Sequence, residues 1–447
     1  MIFVHESMPN FVDLMESCLK NMRAPEQLLN HSKEVAELIR EEVNKRTKSL
    51  ESVSTNESKS NLEFLAVDSS RAVRELMDGS SLGIFRAIGL TSNKKELREL
   101  ETEFFYHSGK SNQLRFYESA KMEYLEAKVI LNYLREESLK ERVVLVDGSI
   151  FGRISHIPIE LQIYERELFM VDYIKTYREL FEEAKKKNVL LVGVSKDSRA
   201  SFLKQIILKE LLRKLVTEKE NFDELLMEKG PSYLQNALDK IRDEKVKTQV
   251  EIILNLYFRS IPDVYFLNKF SELQRYFTLP IELSYDMISS KGLIRMLENE
   301  ISNEDYIRTH FSKMGRRLSE ERNLDLNLTL NNIRNYPTIV SFYLVPAKND
   351  SPIRVDVPSY CFGLNHKLED LVTSGFINVS GEKLNNVILS LLEQYAGYRN
   401  YNILLKRADE KVKLSNYVVD NVYLKIIEKK LGIILLPGRD YRRVRLH

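Results

Sequence analysis

One stretch of the chain decides its fold: Arg142-Val143-Val144-Leu145-Val146-Asp147-Gly148-Ser149. Its four consecutive apolar residues, three of them β-branched, predict a short strand that is buried on both faces. The acidic residue that follows precedes a Gly-Ser pair, which turns the backbone sharply. The strand is therefore expected to carry the carboxylate of Asp147 to the rim of a sheet.

The same pattern occurs once before, in the stretch Phe64-Leu65-Ala66-Val67-Asp68-Ser69-Ser70. We expect this strand to end at Asp68, as the later one ends at Asp147. Two strands that each end at an aspartate followed by small hydroxyl residues indicate one site, to which both strand ends contribute. The alternative is that each aspartate only forms a turn or caps a helix.

Length and composition limit the class of protein. The chain has 447 residues, which is long enough for two or three domains, and its 43% hydrophobic and 30% charged residues are typical of a globular protein. A net charge of +2 leaves nucleic-acid contacts to local patches. The two cysteines, Cys18 and Cys361, exclude a disulfide framework. There is no apolar run of about 18 residues and no secretory signal pattern, so we expect a cytoplasmic protein without a membrane span.

The order of the predicted elements indicates an α/β fold. A strand with Asp68 precedes two further strands, a helix over about 113–137, the strand with Asp147, a helix over about 166–187 and a buried strand over 188–194. Three sequential antiparallel strands followed by parallel strands with helical crossovers make a mixed sheet.

This succession resembles the ribonuclease H-like fold, so we expect a mixed sheet flanked by helices, with a large, mainly helical insertion. The predicted domains are an N-terminal helical segment, the first part of the core, the insertion, and the last core strands with C-terminal helices: 1–60, 61–200, 201–334 and 335–447. Within the last of these, the pattern predicts one helix over 383–407.

In the ribonuclease H-like fold, the first strand, the following helix and the fourth strand each bring one acid to the same end of the sheet. The resemblance implies that Asp68, Glu126 and Asp147 are metal ligands here. Oxygen-only ligands favour Mn²⁺ or Mg²⁺, and two such ions about 4 Å apart hydrolyse phosphodiesters. Glu126 lies beside the apolar stripe of its helix, and the alternative is that its carboxylate reaches water from the flank.

Two further residues are candidates for the site. Asp356 lies in the predicted strand Ile353–Pro358, and the alternative is a charge at the edge of a strand. Lys196 follows a buried strand directly and could hold a phosphate, and the alternative is a surface lysine at the start of a helix. Further basic residues are candidate contacts with a nucleic-acid backbone: Arg71, Arg74, Arg153, Arg199, Arg442, Arg443 and Arg445. For the last three, the alternative is a solvated or partner-binding end of the chain.

A family resemblance is carried by five short motifs in this order: Ala66-Val67-Asp68-Ser69-Ser70, Leu125-Glu126-Ala127, Val144-Leu145-Val146-Asp147-Gly148-Ser149, Gly193-Val194-Ser195-Lys196 and Ile353-Arg354-Val355-Asp356-Val357-Pro358. The set resembles the NurA nuclease family, although Ser69 stands where that family often has glycine. The resemblance implies acidic metal-site positions at Asp68, Glu126, Asp147 and Asp356, and a basic active-site position at Lys196.

The resemblance also implies an activity and partners. It implies a manganese-dependent 5′–3′ exonuclease with endonuclease activity on single strands, which acts in DNA end resection and double-strand break repair. The expected partners are single-stranded DNA and duplex ends, a second copy of the chain in a homodimer, and a hexameric HerA-type ATPase that translocates DNA.

Two other functions stay open on the sequence alone. One is a catalytically weak or inactive assembly subunit of a DNA-translocase complex, which the presence of all four acids disfavours. The other is a different ribonuclease H-like phosphoryl-transfer enzyme, which the strand-like surroundings of Asp356 disfavour. The sequence has no Walker-type phosphate loop, so we do not expect the chain itself to hydrolyse ATP.

Overall fold

A computed structural model describes residues 14–16, 32–53, 62–107, 111–136, 141–216, 238–311, 320–432 and 435. The chain divides into two compact units, which we call the small unit (Met1–Lys48 with Asp197–Gln274) and the large unit (Ser49–Lys196 with Arg275–His447). Among the described residues, no helix is both long and apolar enough to cross a membrane. The domain limits at 60, 200 and 334 stay a prediction.

The described part of the chain contains both strands and helices. The strands are β1 Thr47–Ser49, β2 Leu62–Glu75, β3 Ser81–Thr91, β4 Glu96–Phe105, β5 Glu141–Asp147, β6 Leu190–Ser195, β7 Tyr276–Thr278, β8 Ile281–Leu283, β9 Ile339–Val345, β10 Ile353–Pro358 and β11 Gly375–Phe376. The helices are α1 Lys33–Lys45, α2 Ser111–Arg135, α3 Ile150–Ile154, α4 Phe169–Lys186, α5 Phe202–Leu215, α6 Glu244–Phe258, α7 Asp263–Phe270, α8 Lys291–Leu297, α9 Asn303–His310, α10 Glu320–Arg334, α11 Gly381–Glu393, α12 Ile403–Val412, α13 Asn416–Val418 and α14 Leu424–Leu431.

The small unit is helical, with α1, α5, α6 and α7 as its described helices. Asp263 is fully buried and accepts hydrogen bonds from the backbone N–H groups of Leu203 and Lys204 at 3.0 and 2.8 Å. The Nζ of Lys204 in turn donates to the carbonyl oxygens of Leu256 and Tyr257 at 3.0 and 3.1 Å. These buried contacts satisfy groups at one end of α5 and one end of α6 that neither helix can pair internally.

The large unit is built on a mixed sheet with the strand order β7-β9-β10-β6-β5-β2-β3-β4, and β8 pairs with β9 and β11. Strands β2, β3 and β4 are antiparallel, whereas β5 is parallel to both β2 and β6. The inner residues of β5 and β6 are buried on both faces, as a continuous apolar run requires. The predicted ribonuclease H-like mixed sheet flanked by helices is confirmed.

Helices cover both faces of the sheet. On one face, residues that include Ala66 of β2 and Leu145 of β5 share a buried apolar cluster with Leu384 of α11 and Leu405 of α12. Helix α2 lies on the other face, where a Cβ on Gly89 of β3 would stand 2.7 Å from its Val129. We call these faces the α12 face and the α2 face.

Strand β2 is longer than its sequence pattern predicted. It does not end at Asp68 but continues to Glu75, so the predicted strand end is wrong for this segment. The parallel pairing with β5 stops at Val67, whereas the antiparallel pairing with β3 continues to Glu75 opposite Ser81. Asp68 thus lies where the pairing with β5 ends and an antiparallel extension of β2, β3 and β4 begins.

The single helix predicted over 383–407 is wrong as well. The chain forms α11 and α12, which are separated by a turn that contains Gly397 at a φ of 95° and a short 3₁₀ helix, Tyr398–Asn400. The side chain of Asn402 then accepts a hydrogen bond from the backbone N–H of Leu405 at 2.9 Å and starts α12 anew. The interruption places Tyr401 at the start of the second helix.

Gly193 of β6 allows the backbone after β5 to pass close by. A Cβ at this position would stand 2.7 Å from the carbonyl oxygen of Gly148 and 3.0 Å from the backbone nitrogen of Ile150. Both atoms belong to backbone, which cannot move away as a flexible side chain can. The backbone of the turn after Asp147 therefore packs directly against the backbone of β6.

We predict that Gly193→Ala destabilises the protein by about 1–3 kcal/mol, because the new methyl group must displace the backbone of this turn. The free energy of unfolding in urea measures the effect. Gly381→Ala is the matched control, since a Cβ there meets nothing within 4 Å. Equal stability of the two variants would contradict the proposed close approach.

Candidate active site at one end of the sheet

Two aspartates lie side by side at the end of the parallel pair β2 and β5. Val67 is the register partner of Val146, so Asp68 and Asp147 follow at equivalent positions on strands that are about 5 Å apart. Because side chains alternate along a strand, both carboxylates lie on the α12 face, as Ala66 and Leu145 do. Both residues are half-buried.

Burial and nearby negative charges disfavour the ionisation of both carboxylates. Burial raises the pKa of Asp68 to about 6, and the negative charge of Asp147 adds to the effect. Burial also raises the pKa of Asp147, although the positive charges of Lys196 and Arg153 oppose that change. A pair of this kind is costly without a compensating cation.

Tyr401 connects this pair to Lys196. Its hydroxyl donates to Oδ2 of Asp147 at 3.3 Å, and Nζ of Lys196 lies 4.9 Å from the centre of its ring, which is a cation–π contact. Burial and the charge of Asp147 raise the pKa of Tyr401, so the phenol stays protonated and can donate. The exposed Lys196 thus stands beside the carboxylates.

A third acid on the same face is Asp409 of α12, which the sequence interpretation missed. Its negative charge contributes to the raised pKa values of Asp68 and Asp147, and its Oδ2 accepts from Nζ of Lys413 at 2.6 Å. One signal was present in the sequence. Asp409 follows Leu405 by four residues, so it lies along the buried stripe of its helix.

Glu126 reaches the site from the α2 face. It is buried, and its two carboxylate oxygens accept hydrogen bonds from the hydroxyl of Ser69 and from Nη2 of Arg153. Burial raises the pKa of Glu126 to about 7. The positive charge of Arg153 opposes this rise, and the negative charge of Asp68 adds to it. Ser69 also donates its backbone N–H to Oδ1 of Asp68 at 2.8 Å, so one residue connects both acids.

A second acid, Glu123, lies one turn earlier on α2. Its Oε2 lies 2.7 Å from Nε2 of His156 and accepts from the hydroxyl of Tyr173 at 2.7 Å. Burial opposes ionisation, but the combined contributions of His156, Arg153 and Tyr173 outweigh it and lower the pKa of Glu123. This carboxylate is therefore charged, and the two partners of its Oε2 indicate a supporting role.

Asp356 is fully buried on β10, and both of its oxygens are engaged. They accept hydrogen bonds from the hydroxyl of Ser149 at 2.6 Å, the hydroxyl of Ser341 at 2.8 Å and the backbone N–H of Phe151 at 3.2 Å. The guanidinium of Arg354 adds contacts of 2.9 and 3.0 Å. In this position Asp356 fixes the turn after Asp147, and its assignment as a metal ligand stays a prediction.

Two of the candidate DNA contacts lie in buried ion pairs. Nε of Arg74 is 2.8 Å from Oδ1 of Asp420, and Arg153 is paired with Glu126. Arg71 is more exposed, and its Nε lies 2.7 Å from Oε2 of Glu118. The tail arginines lie outside the described residues.

The donor atoms at the sheet end are suited to a divalent cation. Within the part of the chain that the structure describes, no group of three or more His, Cys, Asp or Glu side chains is arranged to hold a metal ion. Asp68 and Asp147 nevertheless offer adjacent carboxylate oxygens whose repulsion such an ion would relieve. All of the donors are oxygens, which suit Mn²⁺ or Mg²⁺.

The fold and these carboxylates define the class: an α/β protein with a ribonuclease H-like mixed sheet that gathers acids at one end. A NurA domain model matches residues 62–414, and the chain belongs to the NurA family. The resemblance inferred from the motifs is confirmed.

One solved structure supports the fold assignment, and a second shows a weaker likeness. The NurA nuclease from Sulfolobus solfataricus aligns with a TM-score of 0.50 at 15% identity and covers 93% of this chain and 97% of its own. NurA bound to dAMP and manganese aligns at 15% identity over 99% of both chains, with a TM-score of 0.37. No curated protein matches the chain.

We predict that Asp68→Asn stabilises the metal-free protein more strongly at pH 8 than at pH 5. The pKa of Asp68 is about 6 in the folded protein, above the ordinary value of about 3.9 in an unfolded chain, so the folded state holds the proton more tightly. The stability that this group contributes is therefore complete below about pH 4 and is lost as the pH rises through about 6. Asparagine resembles the protonated form and avoids that loss.

Thermal unfolding in the presence of a chelator tests this prediction. Glu179→Gln is the control, because Glu179 is an exposed residue of α4. An Asp68→Asn variant whose Tm differs from the wild type by the same amount at pH 5 and pH 8 would contradict the raised pKa.

Proposed function

We propose that the protein is a metal-dependent DNA nuclease. The observation that carries this proposal is the adjacent, half-buried pair Asp68 and Asp147, with the exposed Lys196 beside it. Membership in the NurA family supports the proposal, since a solved member is named a nuclease. The finer proposal, from the motif resemblance, is a 5′–3′ exonuclease with single-strand endonuclease activity that acts in DNA end resection.

In this proposal Asp68 and Asp147 hold Mn²⁺, with Mg²⁺ as the alternative ion, and Glu126 and Asp356 are the further ligands expected from the resemblance. Such an ion, when bound, activates a water molecule and stabilises charge on the phosphate. Lys196 binds a phosphate oxygen of the DNA strand, since its ammonium group is exposed next to the carboxylates. Tyr401 orients both Lys196 and Asp147 through its ring and its hydroxyl.

The proposed partners follow from the same resemblance. We propose single-stranded DNA and duplex ends as substrates, a homodimer as the assembly, a hexameric HerA-type ATPase as the motor and the cytoplasm as the location. The inactive assembly subunit remains the alternative function. It is disfavoured because Asp68, Glu126, Asp147 and Asp356 are all present.

We predict that Asp147→Asn lowers the rate of DNA cleavage at least about 100-fold. Loss of a residue that only orients a metal ligand costs up to about 100-fold in activity, and loss of a direct ligand should cost at least as much. Digestion of end-labelled single-stranded and duplex DNA in Mn²⁺ measures the rate. Asp172→Asn, the same chemical change on an exposed position of α4, should cleave at the wild-type rate. Unchanged cleavage by the Asp147 variant, with its fold intact by circular dichroism, would refute the assignment.

We also predict that a chelator abolishes cleavage and that added Mn²⁺ restores it better than Ca²⁺ does. Ca²⁺ prefers longer bonds and more ligands than the carboxylate pair offers. The same end-labelled digestion provides the measurement, with each ion titrated back into the stripped protein. Cleavage that persists in excess chelator would rule out a metal-dependent reaction.

A further inference from the structure

The side chain of Arg153 lies between the two groups of carboxylates. Asp68, Asp147 and Asp409 belong to the α12 face, whereas Glu126 belongs to the α2 face. Arg153 is 5% exposed, and its charge lowers the pKa of both Asp147 and Glu126 against the effect of their burial. The guanidinium of Arg153 is therefore a permanent, buried positive charge next to the acids at this end of the sheet.

The contacts of Arg153 are those expected of a bridging cation. Its Nη2 donates to Oε2 of Glu126 and to the carbonyl oxygen of Asp147 at 3.0 Å, so one nitrogen joins both elements. The guanidinium packs beside Gly148, where a Cβ would lie 3.5 Å from Nη1, in ordinary van der Waals contact. Gly148 also has a φ of 106°, which favours glycine at this position.

The backbone that carries Arg153 is held in place by buried contacts. Ser149 caps the start of helix α3: its hydroxyl accepts from the N–H of Gly152 at 2.8 Å and donates to Asp356. At its other end, the carbonyl oxygen of Arg153 accepts from the hydroxyl of Tyr173 at 3.2 Å. The guanidinium is therefore positioned before any ligand arrives.

A divalent ion that bridged Glu126 to the strand end would need the space and the oxygen that Arg153 already uses. The two cations would also repel each other at short range, and this burial reduces the screening by water. Both oxygens of Glu126 are engaged, one by Ser69 and one by Arg153. The pair Asp68 and Asp147, in contrast, has no comparable cation bound to its carboxylate oxygens among the described contacts.

We propose that the guanidinium of Arg153 takes the place of a second divalent ion, so that each chain binds one ion at Asp68 and Asp147. Glu126 is then the partner of Arg153 and does not coordinate the ion directly. Arg153 is a positioning residue: it limits the site to one bound ion and holds the carboxylate of Glu126 by a salt bridge. The inference rests on the proposed function for the nature of the ion. It departs from the two-ion site that the sequence led us to expect, and it replaces the role of Glu126 as a ligand, which the resemblance implies.

Isothermal titration of Mn²⁺ into the metal-free full-length chain tests this inference without any measurement of activity. The wild type should bind one ion per chain at the site, and Asp68→Asn should abolish that binding. Arg153→Gln should bind a second ion, because it frees Oε2 of Glu126 and removes the positive charge. Arg153→Lys, which keeps the charge, should still bind one ion.

Two outcomes would overturn the inference: two Mn²⁺ ions bound by the wild type at this site, or one ion bound with unchanged affinity by Arg153→Gln. Circular dichroism and a rise in Tm on addition of Mn²⁺ show whether Arg153→Gln is folded. If this variant does not fold, the number of Mn²⁺ ions bound by the wild type tests the inference by itself. Cleavage of DNA by the wild type in Mn²⁺ tests the proposed function separately. An active protein with two ions keeps the nuclease proposal and rejects the role of Arg153.

Discussion

The candidate site depends on one constraint, the parallel register of β2 with β5. Because Val67 lies opposite Val146, the next residue on each strand is an aspartate, and both side chains lie on the same face. A shift of one residue would send one carboxylate to the opposite face. The apolar residues that fix this register are buried on both faces of the sheet, so the energy that places the acids comes from the core beneath them.

The charges at the sheet end are balanced by contributions from distant parts of the chain. The positive charges of Lys196 and Arg153 favour the ionised form of Asp147. Asp409 is paired with Lys413, and Glu126 is paired with Arg153. Among the described contacts, Asp68 and Asp147 have no cationic side chain bound to their carboxylate oxygens, so a mobile cation would stabilise these two acids most. This imbalance separates the part of the cluster that is structurally satisfied from the part that is suited to a ligand.

Buried polar contacts hold the turn between β5 and α3, and they give Asp356 a clear structural meaning. A fully buried carboxylate is stable only when its oxygens are paired, and here the hydroxyls of Ser149 and Ser341 and the guanidinium of Arg354 supply the partners. Since Ser149 also caps α3, Asp356 acts on the position of Arg153 through the backbone. Asp356, which matches a family ligand position in sequence, thus stabilises the turn that carries Asp147 and Arg153.

The sequence by itself determined the local pieces: the buried strands, the acids at their ends and the helix that carries Glu126, because apolar periodicity and turn residues act over a few neighbours. It also carried enough of the family motifs to predict the fold. Only the tertiary structure decided that β2 continues past Asp68, and that Tyr401, Asp409 and Arg153 join the acids. Those placements depend on strand pairing and helix packing between residues far apart in the chain, and no local pattern records such distances.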